Sequence, residues 1–213
     1  MTSKSNNSSK LDTIANFIWL ELRALKYRKS KRLFNRIQSD GVVHVIDFQM
    51  GQCWSTLQGK FTVEVGIFIP EVFAAFWEKP IPKFITSPNC EVRERLGLLG
   101  KSKKDIWWDL SGDERTIESE VSDLLLKYGE QYFSRFSSRE KLLAQWEQER
   151  LQNNLPQRKT LIMAIVLAQR GEKMRANELL EQEFGDKYKT TFLEYARNIV
   201  VNLGIDFPIL KSW

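Results

Sequence analysis

The sequence is poor in the residues that most hydrolytic, redox and metal chemistry requires. Of its 213 residues one is a histidine, His44, and two are cysteines, Cys53 and Cys90. A Ser-His or Cys-His pair, or a two-histidine metal site, must therefore use His44 or fail. Neither cysteine belongs to a C-x-x-C pair, so no metal site is expected. The 11 glycines are scattered, and no G-x-G-x-x-G or G-x-x-x-x-G-K-[ST] phosphate cradle occurs. That excludes nucleotide hydrolysis of this kind, and no cofactor is expected. The longest strictly apolar run, Leu161 to Ala168, is eight residues, against about 20 for a membrane-spanning helix. Met1 to Lys10 is polar and lacks the apolar stretch of a signal peptide. The expectation is a cytoplasmic protein with no membrane contact and with reduced thiols.

What is abundant points to a packed interior. Hydrophobic residues make up 42% and charged residues 28% of the chain, which lies in the globular range. Thirteen Phe and seven Trp supply large apolar areas for a core.

Residues 1–9 read as a disordered leader, with Ser8 and Ser9 as helix caps. Leu11, Ile14, Ala15, Ile18, Leu22 and Leu25 then keep the spacing of an amphipathic helix over about 10–25. The period changes to two at Leu33 to Ile37, followed by the hairpin signal Asp40-Gly41 and the run Val42 to Gln49. Phe61 to Ile69 alternates in the same way, as a sheet with one packed face does. Cys90 to Leu99 and Asp105 to Leu110 read as further strands. From about Thr116 the pattern is helical, with a capping box at Ser137 to Glu140 and stops at Gly171 and Gly185. A last helix carries Tyr188, Phe192, Tyr195, Ile199 and Leu203. The fold class is α+β: an N-terminal helix packed on a mostly antiparallel sheet, then a helical C-terminal half. The expected division is a core domain over 10–115 and a helical extension over 116–213 that packs on it.

Four patterns in order carry a family resemblance. They are Leu25-Lys26-Tyr27-Arg28-Lys29 leading to Phe34 and Arg36; Gly41-Val42-Val43-His44-Val45-Ile46-Asp47-Phe48-Gln49; Phe61-Thr62-Val63-Glu64-Val65-Gly66-Ile67-Phe68; and Cys90 to Gly97 followed by Asp105-Ile106-Trp107-Trp108. Over about residues 10–130 the chain resembles the bacterial family called domain of unknown function 4304. Glu64 stands where that family often has a smaller polar residue, and the helices past about 135 lie outside the resemblance. The resemblance implies a fold; it brings no activity.

Three constellations remain for function. His44 shares a strand face with Val42, Ile46 and Phe48, which fits a hydrogen-bonded core histidine as well as a catalytic one. Asp47, Gln49, Glu64, Arg93 and Arg95 would share the opposite sheet face if their strands are neighbours. Such a set could bind an anionic or amide-bearing ligand or do acid–base work; it could equally be cross-strand pairing worth roughly 0.2–1 kcal/mol per pair. The net charge of +5 is slight, but the run Arg23, Lys26, Arg28, Lys29, Lys31, Arg32 and Arg36 concentrates cations with no acid among them. It could neutralise phosphates, or it could meet a helix dipole and divide over two strand faces. Ala164 to Phe184 is loosely similar to one tetratricopeptide-type hairpin, with no second copy. Trp146 and Tyr188 are candidates for an exposed partner surface. The expectation is a non-catalytic intracellular protein that binds another protein. The alternative is an enzyme or ligand-binding protein for a small anionic or nucleic-acid substrate, using the polar sheet face.

Overall fold

The computed structural model describes residues 2–52, 55–77, 79–152, 155–184, and 196, 199 and 200. The chain divides into two compact units, one of residues 1–69 and 82–138, the other of residues 70–81 and 139–213. The boundary expected near 115 therefore falls at 138, and residues 70–81 leave the sheet unit.

The first unit opens with helix α1 (Thr2–Ala24). The stretch read as a leader is helical, and Ser8 is not a cap. Its carbonyl and hydroxyl oxygens accept from the Arg32 guanidinium at 2.7 and 2.6 Å, which ties that turn to the sheet. Lys26, at a φ of 64°, ends the helix. A six-stranded antiparallel sheet follows: β1 (Arg28–Ser30), β2 (Leu33–Ile37), β3 (Val43–Met50), β4 (Lys60–Phe68), β5 (Val92–Arg95) and β6 (Trp108–Asp109). Strands β1 to β5 lie in chain order, and β6 also pairs with β4. The Asp40-Gly41 turn joins β2 to β3, where the Asp40 carboxylate accepts from the Val42 amide at 3.2 Å. Two strands are shorter than their patterns suggest. Beyond Arg95 the chain turns into the short helix α3 (Leu96–Leu99), and only Trp108 and Asp109 pair on the last strand.

The period-two reading assigns the faces correctly. One face carries Phe34, His44, Ile46, Phe48, Phe61, Val63, Val65 and Ile67, all at most 3% exposed. An aromatic ladder crosses it: Phe34–Phe48, Phe48–Phe61 and Phe61–Trp108 ring centroids are 5.6, 6.0 and 5.4 Å apart. Helix α1 buries Leu11, Ile14, Ala15, Ile18 and Leu22, and its Trp19 stacks on Phe34 at 6.1 Å. Helix α4 (Glu114–Leu124) is capped by Asp113, whose carboxylate accepts from the Thr116 amide at 2.9 Å. A π-helical turn (Leu125–Gly129) leads into α5 (Glu130–Arg135), which lays Phe133 on His44 with ring centroids 4.6 Å apart.

The second unit contains α2 (Pro70–Trp77), α6 (Arg139–Leu151), α7 (Gln157–Gln169) and α8 (Lys173–Phe184). Every residue from Thr160 to Ala168 is buried, as befits a helix apolar on all sides and packed by α2, α6 and α8. Arg139 grips the Glu71 carboxylate at 2.5 and 2.6 Å and ties α6 to α2. Trp146 is fully buried rather than exposed, with the Lys159 ammonium 5.4 Å from its ring centroid. Tyr188, Cys53 and most of the last helix lie outside the described residues; Ala196, Ile199 and Val200 are helical and buried. No helix among the described residues is long and apolar enough to cross a membrane.

Candidate functional site

The polar sheet face forms because strand register brings together residues distant in sequence. Asp47 of β3 lies opposite Glu64 of β4, and Glu64 lies opposite Arg95 of β5. Gln49 and Arg93, two residues along their strands, point to the same side. All five residues singled out by sequence thus share one face. Glu64 is at its centre, its side chain 14% exposed, with the Arg93 and Arg95 guanidiniums at 4.0 and 3.8 Å.

The face is covered by the segment Pro82 to Cys90. Asn35 pairs with the main chain of Ile85 in both directions: its amide nitrogen donates to the Ile85 carbonyl at 2.9 Å, and its oxygen accepts from the Ile85 amide at 2.7 Å. Ser87, in a 3-10 turn over Ser87–Asn89, is fully buried. Its amide donates to Asp47 at 3.0 Å and its hydroxyl to Glu64 at 2.6 Å. Gln49 donates to that hydroxyl at 2.6 Å and to Glu64 at 3.3 Å. Cys90 closes the strap. A Cβ on Gly66 would stand 2.7 Å from its Sγ, so only glycine leaves room for it. Burial, aided by the nearby Asp47 charge, raises the Cys90 thiol pKa well above its ordinary value. Ser87 carried no sequence signal beyond a Ser-Pro pair in an irregular stretch.

The arginines lie at the open margin, with side chains 48% exposed for Arg93 and 38% for Arg95. Asp105 accepts from Arg95 at 2.5 Å and from the Trp107 indole at 3.2 Å. The Arg95 guanidinium carbon lies 5.1 Å from the Trp107 ring centroid. Asp105 and Trp107 belong to this cluster, although by sequence they are only part of a short strand.

His44 is on the other face and is 1% exposed. Its Nδ1 faces Arg36 and Gln38 nitrogens at 3.1 and 3.2 Å, and its Nε2 lies 3.4 Å from the Phe136 carbonyl oxygen. Burial first, then the Arg36 charge, pushes its pKa down to about 4. This is a neutral core imidazole. Arg36 also pairs with Glu130 at 2.8 Å, and Glu130 accepts from the Tyr27 hydroxyl at 2.9 Å. Burial and the Glu130 carboxylate together raise the Tyr27 pKa well above its ordinary value.

The basic run is divided between paired and exposed side chains. Arg36 is in this buried network; Arg32 pairs with Asp12 at 2.7 Å; Lys29 donates to Asn16 at 2.7 Å; and Arg28 lies 5.7 Å from the Phe84 ring centroid. Arg23, in the last turn of α1, and Lys26, whose amide donates to the Arg23 carbonyl at 3.0 Å, are exposed, as is Lys31 between β1 and β2. Among the described residues, no group of three or more His, Cys, Asp or Glu is placed to hold a metal ion.

The model of a family described as a domain of unknown function (DUF4304) matches residues 20–135, more than half of the chain. The chain belongs to the DUF4304 family. The matched stretch includes the whole sheet, the Ser87 strap and the Arg36–Glu130 network, and it ends before α6. No curated protein and no solved structure matches the chain.

Proposed function

We propose that this DUF4304 protein is a non-catalytic binding protein that recognises another protein through the Arg93–Arg95–Trp107 margin of its sheet face. One observation carries this reading: the Ser87 strap engages both carboxylates of that face. Asp47 holds the Ser87 amide and Glu64 its hydroxyl. Acid–base work requires a carboxylate within reach of a substrate proton, and these two are turned to the chain's own backbone and hydroxyl. The same enclosure counts against a small anionic substrate, and the pairing of Arg32 and Arg36 with carboxylates counts against nucleic acid at residues 23–36. The margin has a different character. Two partly exposed guanidiniums, one lying on an indole, are side chains enriched at the energetic centres of protein interfaces. The buried, free Cys90 thiol supports a cytoplasmic setting.

The test is capture from native lysate with the wild-type chain and the Arg95→Ala/Trp107→Ala variant, quantified by mass spectrometry. A stoichiometric partner retained by the first and depleted at least about tenfold by the second is expected, since interface anchors cost about 2 kcal/mol or more. Identical protein sets for the two chains would refute the reading.

A further inference from the structure

We infer that the partner presents an acidic peptide segment, received by Arg93 and Arg95 together with the lysines of the turn Lys101 to Lys104. The inference rests on the protein-recognition reading above. It starts from charge that the fold leaves uncommitted. Lys101, Lys103 and Lys104 are exposed and form no ion pair among the described residues. Lys104 directly precedes Asp105, which Arg95 holds, so the turn returns to the margin.

The turn is fixed at both ends. The Lys103 amide donates to the Gly100 carbonyl at 3.0 Å, and Lys103 takes a φ of 47°. Beneath it lies Gly97, where a Cβ would stand 2.5 Å from the Lys104 carbonyl oxygen and 2.7 Å from Ile106. The Thr62 hydroxyl donates to the Ile106 carbonyl at 3.0 Å. The lysines therefore project from an ordered loop, which lowers the ordering cost of binding.

The chain itself shows what the margin accepts. Asp105 is a carboxylate seated on the Arg95 guanidinium, 2.5 Å away, and accepts from the indole N–H of Trp107 at 3.2 Å. An acidic side chain from a partner can take the same geometry or continue it onto Arg93 and the lysines. A nucleic acid fits less well. Arg95 already lies on the Trp107 ring, where a base would stack. Asp47, Glu64 and Asp105 would oppose a continuous run of phosphates, whereas a peptide can space its carboxylates around them.

The experiment uses the full chain and fluorescence anisotropy at low ionic strength, with labelled decaglutamate, decalysine and a twelve-nucleotide oligo-dT as probes. Two charge reversals are compared, Lys101→Glu/Lys103→Glu/Lys104→Glu and Arg23→Glu/Lys26→Glu/Lys31→Glu. They change net charge equally, and circular dichroism confirms that both fold. Decaglutamate is expected to bind the wild type, at least about tenfold more weakly to the first reversal and within about threefold to the second. Asp105→Asn, which leaves Arg95 with only the more distant Glu64 carboxylate, is expected to tighten binding at least about threefold. Equal weakening by the two reversals, oligo-dT bound more tightly than decaglutamate, or no decaglutamate binding would overturn the inference. A partner captured through Arg95 and Trp107 that tolerates the Lys101–Lys104 reversal would sink the acidic inference and leave the broader reading standing. Decaglutamate binding at the margin with no partner dependent on Arg95 and Trp107 would sink the broader reading, and the partner inferred from it, and leave only the margin's preference for acidic peptide.

Discussion

Replacing Ser87 by alanine isolates the contact on which the covered face depends. The Ser87 hydroxyl is fully buried and makes two hydrogen bonds of 2.6 Å, one donated to the Glu64 carboxylate and one accepted from Gln49. A neutral hydrogen bond contributes about 1 kcal/mol and one to a charged group about 1.5–3 kcal/mol. Gln49 keeps Glu64 as a partner at 3.3 Å, so the loss is dominated by the charge-assisted bond, and Ser87→Ala should cost about 2–3 kcal/mol. The amide bond to Asp47 survives the substitution, which keeps the backbone of the strap in place. Urea unfolding at pH 7 gives the total cost. A double-mutant cycle with Glu64→Gln gives the coupling, expected at about 1–2 kcal/mol for groups in direct contact. Ser134→Ala, at an exposed helical position, should stay within about 0.5 kcal/mol of wild type. If Ser87→Ala costs under about 0.5 kcal/mol, or adds independently to Glu64→Gln, the strap is not held by this bond and the argument against catalysis loses its support.

Three further outcomes follow from the same packing. His44 is the only histidine, so its imidazole protons give a single NMR titration. Its midpoint should fall near 4, far below the ordinary 6.5. Because the folded value is the lower one, the unfolded chain binds the proton first, and stability falls as pH drops from 6.5 to 4, by about 3 kcal/mol in all. A midpoint at 6 or above would contradict the buried network. Glu130→Gln leaves the partly buried Arg36 without its carboxylate and should cost about 1–3 kcal/mol by chemical denaturation, as losing one charge-assisted hydrogen bond does; a loss below about 0.5 kcal/mol would show that the pair is solvated. Gly66→Ala forces Cys90 out of its seat. In a Cys53→Ser background it should destabilise the chain by about 1–3 kcal/mol and raise the rate of Cys90 alkylation, whereas a rate equal to wild type would mean that the strap repacks without lifting.

Local periodicity made much of the fold legible. The apolar stripe Leu11, Ile14, Ala15, Ile18 and Leu22 marked the buried side of α1, and the alternation in Val42 to Gln49 and Phe61 to Ile69 separated the two sheet faces. That separation also placed Asp47, Gln49, Glu64, Arg93 and Arg95 on one surface. What covers that surface was not legible, because the strap is punctuated by prolines and has no period. It is held by single side-chain contacts from Asn35, Asp47, Gln49 and Glu64. The basic run was only partly legible for a related reason. Arg32 and Arg36 are committed to acids remote in sequence, Asp12 and Glu130, whereas Arg23, Lys26 and Lys31 stay exposed, and a sequence window registers the cations without the acids. Trp146 looked exposed because α6 is mostly charged, yet the turn that carries it faces the apolar core of its unit. The short, uncommitted run Lys101 to Lys104 drew no attention by its length; it matters because the chain turns back there onto Arg95.

The central claim, recognition of a protein at the sheet margin, is tested most directly by site-specific photocrosslinking in cells. The photoreactive residue p-benzoylphenylalanine is placed at exposed Ser102, within the lysine turn, and in a second chain at exposed Ser39, in the β2–β3 turn. The account predicts one dominant protein adduct from position 102 that is absent from position 39 and is lost on adding Arg95→Ala/Trp107→Ala. No adduct from position 102, or the same adducts from both positions, would contradict it.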